Sequence, residues 1–234
     1  MKKVLMVFLC ISLSLLYANL PIEKTIKEDQ GIDIKVIDSV PSGIGGMNIT
    51  ILEQPNGFRT PVLSSEDGKT ILGIPDLLIS GNEKFKDTLQ KIYQEITQYN
   101  DSMRENRVLE VFKKYDDKVL KLEGKNKSKT TYIVVDLNCP YCHQEIQKLD
   151  RDLEDSNVNV LVVGALGMDS VKKAASFSEE LKNKKSQQDK IAFIKAAFEK
   201  TYKARQDVNT ASIINIGKEL AQAGLDAVPY IIKK

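Results

Sequence analysis

Cys139-Pro140-Tyr141-Cys142 holds two of the three cysteines in this 234-residue chain. A pair this close is a poor structural staple, because the stabilisation a crosslink draws from the unfolded chain grows with the loop it closes. The spacing suits redox chemistry instead: one thiolate attacks a disulfide sulfur, and a second thiol one helical turn away resolves the mixed disulfide. The flanking residues fit such a site. Thr131 to Val135 is a β-branched run that reads as a buried strand and ends in Asp136-Leu137-Asn138, while Gln144 to Leu153 has helical spacing. Cys139 therefore falls at a helix N-terminus, where unpaired N–H groups and the helix dipole favour thiolate over thiol. It is the expected nucleophile and Cys142 the expected resolving thiol. Pro140 suits the first helical turn, where a missing N–H costs nothing.

The neighbours of the pair have less specific signals. Tyr141 is expected at the rim, either touching substrate or as an ordinary surface aromatic. Asp136, three residues before Cys139, has three readings: acceptor for the Cys142 proton, helix cap, or solvent-facing carboxylate. His143 is the only histidine; it tunes the electrostatics of Cys142 or lies on the surface. Cys139, Cys142 and His143 do not make a metal site, since adjacent helical positions diverge by about 100°. With no second CxxC and no other histidine, the expectation is no metal and no cofactor beyond a redox-active Cys139–Cys142 disulfide.

The elements that position the pair follow from periodicity. Val158 to Val163 reads as a second strand, and Ser170 to Lys182, Asp189 to Tyr202 and Asn215 to Ala223 as helices. Val228-Pro229-Tyr230-Ile231-Ile232 reads as a short strand introduced by proline. Strand, helix, strand, helical insertion, proline, strand is the thioredoxin order. In that arrangement Pro229 is expected as a cis-proline facing the cysteines, with the Val228 backbone open to an extended substrate.

Upstream, Gly31 to about Ile79 is strand-like. Ile32 and Ile34 alternate with Asp33 and Lys35, Asn48 to Leu52 follows a Gly-rich turn, and Asn56-Gly57 and Asp67-Gly68 are hairpin signals flanked by Phe58 to Leu63 and Thr70 to Leu72. This predicts a small antiparallel sheet with a thin core and edges that need cover, which a second copy would supply. Phe85, Leu89, Ile92, Ile96, Tyr99 and Met103 then form one helical stripe. A polar interval at Asn100 to Asn106 predicts a break before a second helix carrying Val108, Leu109, Phe112, Tyr115 and Val119, and Gly124 to Thr130 reads as a polar loop.

At the N-terminus, Lys2-Lys3 precede an apolar run from Val4 to Leu16, with Tyr17-Ala18 before polar Asn19. The run is shorter than the roughly 18 residues a spanning helix needs, so it reads as a cleavable export signal, cut after Ala18. Cys10 lies inside the run behind the bulky Leu9, which speaks against lipidation. Its loss leaves only the CxxC pair, in an oxidising compartment where disulfides persist. Losing Lys2 and Lys3 also brings the 34 basic residues level with the 32 acidic ones. The Lys-rich stretches read as solvated faces and loops, so no nucleic-acid partner is expected.

The chain resembles the periplasmic disulfide isomerases of the DsbC and DsbG type. The resemblance rests on Val36-Ile37-Asp38-Ser39-Val40-Pro41 with Gly46-Met47, on Glu66-Asp67-Gly68-Lys69, on Asp136 to Cys142, and on Val228-Pro229. It implies an α+β N-terminal dimerisation domain (a small antiparallel, cystatin-like sheet) at residues 19–82. A helical linker over 83–126 and an α/β thioredoxin-like catalytic domain with a helical insertion over 127–234 follow, with residues 1–18 as signal peptide. It further implies a periplasmic homodimer that rearranges disulfides in misfolded proteins, with Pro140, Tyr141, Asp136, His143, Val228 and Pro229 around the cysteines and a membrane electron donor of the DsbD type. The family usually adds a strand and a terminal helix after the proline; here five residues follow Pro229. Valine stands before Pro229 where these isomerases usually carry threonine, which is similar to the DsbA-type oxidases. A dimeric dithiol oxidase is therefore the alternative reading, and a chaperone-like binding module the third.

Overall fold

The computed structural model describes residues 21–74 and 80–234. The export signal, Cys10 and the cut after Ala18 lie outside the described residues, as does the end of the expected sheet region at 75–79. The chain forms two compact units, divided between Tyr99 and Asn100.

The first unit is an antiparallel meander of β1 (Lys35–Pro41), β2 (Met47–Glu53), β3 (Arg59–Ser65) and β4 (Ile71–Gly73). Both hairpin signals fall at turns, Asn56-Gly57 between β2 and β3 and Asp67-Gly68 between β3 and β4. The first strand begins later than its alternation predicts, at Lys35 rather than Ile32. Gly31 closes a preceding helix, its N–H bonding the Lys27 carbonyl at 3.0 Å, and the ladder starts only where Lys35 meets Glu53 of β2. That helix, α1 (Pro21–Gln30), has no counterpart in the sequence reading. Its apolar signal is short, but Ile22 packs with Leu52 and Val62. The β3–β4 turn lies so close to it that a Cβ on Gly68, at φ +68°, would meet the Ile22 backbone nitrogen at 2.9 Å. A second cluster gathers Ile49 with Phe85, Leu89, Ile92 and Ile96.

Those last four residues belong to α2 (Glu83–Lys114), a single helix where two were expected. The polar interval from Asn100 to Asn106 holds neither glycine nor proline, the usual causes of a break, and includes the good helix formers Met103, Arg104 and Glu105. The stretch expected as a separate linker, 83–126, divides instead between the two units. Residues Phe85 to Ile96 pack in the first core, Val108, Val111 and Phe112 pack in the second, and Val119 lies not on a helix but in a strand of the second sheet.

The second unit contains β5 (Val119–Leu122), β6 (Thr130–Asp136), α3 (Pro140–Ile146), α4 (Leu149–Asp155), β7 (Asn157–Val163), α5 (Met168–Leu181), α6 (Gln187–Ala197), α7 (Ala211–Gln222) and β8 (Tyr230–Lys233). The sheet order is β5-β7-β6-β8, with β6 and β7 parallel and both edge strands antiparallel to their neighbours. In the parallel pair four consecutive residues of each strand, Ile133 to Asp136 and Val160 to Val163, are buried, so both faces are covered there, which accounts for the near-continuous apolar runs. Four of the five residues after Pro229 form β8. Among the described residues no helix is long and apolar enough to cross a membrane.

Candidate active site

The site sits beyond the carboxyl end of β6, at the start of α3, where ligands of open α/β sheets gather. Cys139 is the N-cap of α3: its backbone is extended (φ −86°, ψ 117°) and its sulfur accepts the N–H of Cys142 at 3.4 Å. Pro140 takes the first helical turn, as expected. The Cys139 sulfur also lies 3.5 Å from the carbonyl of Val228, and the Val228–Pro229 peptide bond is cis. Both cysteines are free thiols. Cys139 keeps 6% exposure while Cys142 has none, so of the two residues only the first reaches the surface. The Cys142 sulfur accepts the backbone N–H of Asp136 at 3.4 Å. Burial pushes its thiol well above the ordinary range, further helped by the neighbouring Cys139 and the charge of Asp136, while the Asp136 N–H acts in the opposite sense.

Two of the Asp136 readings give way. The residue neither faces solvent nor caps α3; it is fully buried. One carboxylate oxygen accepts the N–H groups of Ala165 and Leu166 at 2.7 and 2.9 Å, and the other accepts the Asn138 N–H at 2.7 Å and the Ser170 hydroxyl at 2.9 Å. A carboxylate has about four acceptor directions, and these four donors account for all of them. Asp136 is thereby a clamp that ties the loop between β7 and α5 to the strand end before Cys139.

His143 is half-buried: its Nδ1–H donates to the Phe198 carbonyl at 3.1 Å, and its ring meets Phe198 edge to face. Tyr141 is 70% exposed, as the rim position requires. The sequence reading missed the partners of the clamp. Asn138 donates to Asp169 and Ser170 and accepts from Lys173 at 2.8 Å, and Lys173 also pairs with Asp169 at 3.4 Å. Asn138 adjoins Cys139, which could have drawn notice, whereas Ser170 is brought in only by the turn after β7. Among the described residues no group of three His, Cys, Asp or Glu side chains is placed to hold a metal ion.

A thioredoxin-like sheet presents two thiols one helical turn apart against a cis-proline loop, a geometry that can carry thiol-disulfide exchange. Residues 22–108 match the model of the disulfide isomerase DsbG N-terminal family. A structure of Helicobacter pylori DsbG, 24% identical, covers 92% of this chain and 99% of its own with a TM-score of 0.54. The N-terminal region thus resembles the DsbG N-terminal family, and the chain as a whole shares its fold with the Helicobacter pylori DsbG structure. Two further structures are less similar. A periplasmic thioredoxin-like protein from Salmonella enterica serovar Typhimurium is 19% identical over 50% of this chain and 78% of that one, with a TM-score of 0.42. A linker-deletion variant of Proteus mirabilis ScsC is 12% identical over 68% of this chain and 88% of its own, with a TM-score of 0.48. Among curated proteins, none matches this chain.

Proposed function

We propose that this protein is a periplasmic disulfide isomerase and reductase that works as a homodimer, with Cys139 as nucleophile and Cys142 as resolving thiol. The observation that carries the reading is the asymmetry of the pair: Cys139, at the helix N-terminus, keeps some exposure, while Cys142 is sealed and held as a thiol by burial. In the proposed reaction the Cys139 thiolate attacks one sulfur of a non-native disulfide, and the other substrate sulfur leaves as a thiolate. A third substrate thiol then displaces Cys139, which completes isomerisation with no net electron transfer. Alternatively Cys142 loses its proton to solvent and attacks the Cys139 sulfur, so that the substrate departs reduced and the two electrons come from the dithiol. A membrane thiol-disulfide donor of the DsbD type returns those electrons to the Cys139–Cys142 disulfide. Location rests on the sequence of residues 1–18.

Val228 supports a second reading, a dithiol oxidase. A threonine hydroxyl at this position, beside the carbonyl 3.5 Å from Cys139, can donate toward the sulfur, whereas valine of nearly the same shape cannot. Hydrogen bonds to charged groups contribute about 1.5 to 3 kcal/mol, equivalent to roughly 30 to 60 mV for this two-electron couple. Val228→Thr is expected to raise the redox potential by about that amount in glutathione buffers, because the added donor stabilises the reduced thiolate, and to change the rate at which a scrambled disulfide substrate refolds. Acid-trapping of cells decides the direction: cysteines found reduced support the isomerase, and cysteines found oxidised support the oxidase. If Val228→Thr changes neither potential nor refolding, the argument for the oxidase is lost.

Dimerisation through residues 19–79 is supported by the build of the first unit. Among the described residues β1 and β4 are edge strands, and Ile32, Ile37, Ile44 and Leu72 are exposed. Light scattering of the intact protein at micromolar concentration is expected to give twice the chain mass; a folded monomer would contradict the proposed homodimer.

A further inference from the structure

Beside the cysteine pair the second unit has a pocket of about 380 Å³. Its lining includes Val163 at the end of β7, Ala165 in the following loop, Ile214 and Gly217 of α7, and Leu225 and Val228 on the segment that enters Pro229. Three observations bear on its occupant. Val228 is common to both features, lining the pocket while its carbonyl lies 3.5 Å from the Cys139 sulfur. A polypeptide held there by a mixed disulfide advances about 3.3 Å per residue when extended, so the residues next to its cysteine reach the pocket. Leu166 and Met168, which follow the lining residue Ala165 in the chain, are apolar and 54% and 58% exposed. Leu166 is held in place by the Asp136 clamp. Finally, Gly217 stands inside α7, where glycine weakens a helix, and a Cβ built on it meets nothing within 4 Å. The space above this helix is open.

We infer that this pocket receives an aliphatic side chain of the substrate polypeptide, from a residue flanking the cysteine that Cys139 attacks. The inference deepens the proposed function and rests on it. It makes the chemical class of substrate a cysteine set in an apolar, core-derived sequence, which is the kind a misfolded chain exposes. The pocket is walled by residues of one unit, so each chain carries its own.

The test uses the intact Cys142→Ser protein, in which a mixed disulfide at Cys139 is trapped. Two synthetic peptides serve as probes, each with one cysteine flanked on both sides by leucines or by serines, and each capped as a mixed disulfide with glutathione. The Cys139 thiolate attacks the peptide sulfur, one S–S bond forms as one breaks, and glutathione leaves as the thiolate and takes up a proton. Burial of one leucine predicts a preference for the leucine peptide of roughly tenfold or more, read as the ratio of adducts by mass spectrometry. Gly217→Leu, which fills the pocket, is expected to cut that ratio to within about twofold, and Ile214→Ser, at the half-buried rim, to reduce it as well. The ratio cancels any general change in cysteine reactivity. A ratio near one in the parent, or a ratio kept by both variants, overturns the inference. Oxidised glutathione alone separates the two levels: an adduct at Cys139 without peptide preference sinks the pocket and leaves the thiol chemistry standing. No adduct with any probe sinks both.

Discussion

Cys139→Ser is expected to abolish thiol-disulfide exchange, whereas Cys142→Ser is expected to enter mixed disulfides and fail to release them. The asymmetry comes from position, because the two thiols are otherwise the same group. Cys139 has the residual exposure and receives the Cys142 N–H, while Cys142 is enclosed by the core and held as a thiol by burial. Iodoacetamide at neutral pH is accordingly expected to label Cys139 alone in the folded, reduced protein. Burial of Cys142 also makes stability depend on pH. Below the ordinary thiol pKa of about 8.5 both folded and unfolded chains hold the proton, and the contribution is complete. Above it the unfolded chain releases the proton and the folded one does not, so stability falls with rising pH by up to about 1.4 kcal/mol per unit. Denaturant unfolding of the reduced protein between pH 7.5 and 9.5, compared with Cys142→Ala, isolates that slope. A flat difference, or alkylation that favours Cys142, reverses the assigned roles.

Asp136→Asn is expected to cost about 3 kcal/mol of stability, because it removes an acceptor from a buried group that serves four donors. The amide nitrogen must face either the Ala165 and Leu166 N–H groups or those of Asn138 and Ser170, and that pair is then left without a partner in the interior. For a chain of this size the loss corresponds to roughly 6 to 12 °C in Tm. Proteolysis distinguishes this clamp from a proton relay, since a released β7–α5 loop should be nicked near Leu166 and Met168, whereas loss of a relay would alter exchange rates alone. A change in stability of less than about 0.5 kcal/mol would mean that solvent or neighbouring groups replace the lost acceptor.

The cysteine pair, the strand that leads into it, the two hairpins and the proline before the last strand were legible in the sequence because each depends on local rules. Alternation, turn chemistry and CxxC spacing act within a few residues. What lay beyond reach had non-local causes. α1 has too short an apolar signal to declare itself and is held by contacts with Leu52, Val62 and the Gly68 turn. The polar interval at 100–106 looked like a helix break because periodicity records only where a helix is buried. In the fold the stripe passes from one core to another without interrupting the backbone. At the site, the types and order of Cys139, Cys142, Val228 and Pro229 were set by sequence. That Asp136 clamps a loop, that His143 turns to Phe198, and that Val228 is shared between the sulfur and an apolar pocket were decided only by tertiary structure. These depend on which segments β6, β7 and α7 bring together, and a short polar or aliphatic side chain carries no local signal of the partner it will meet.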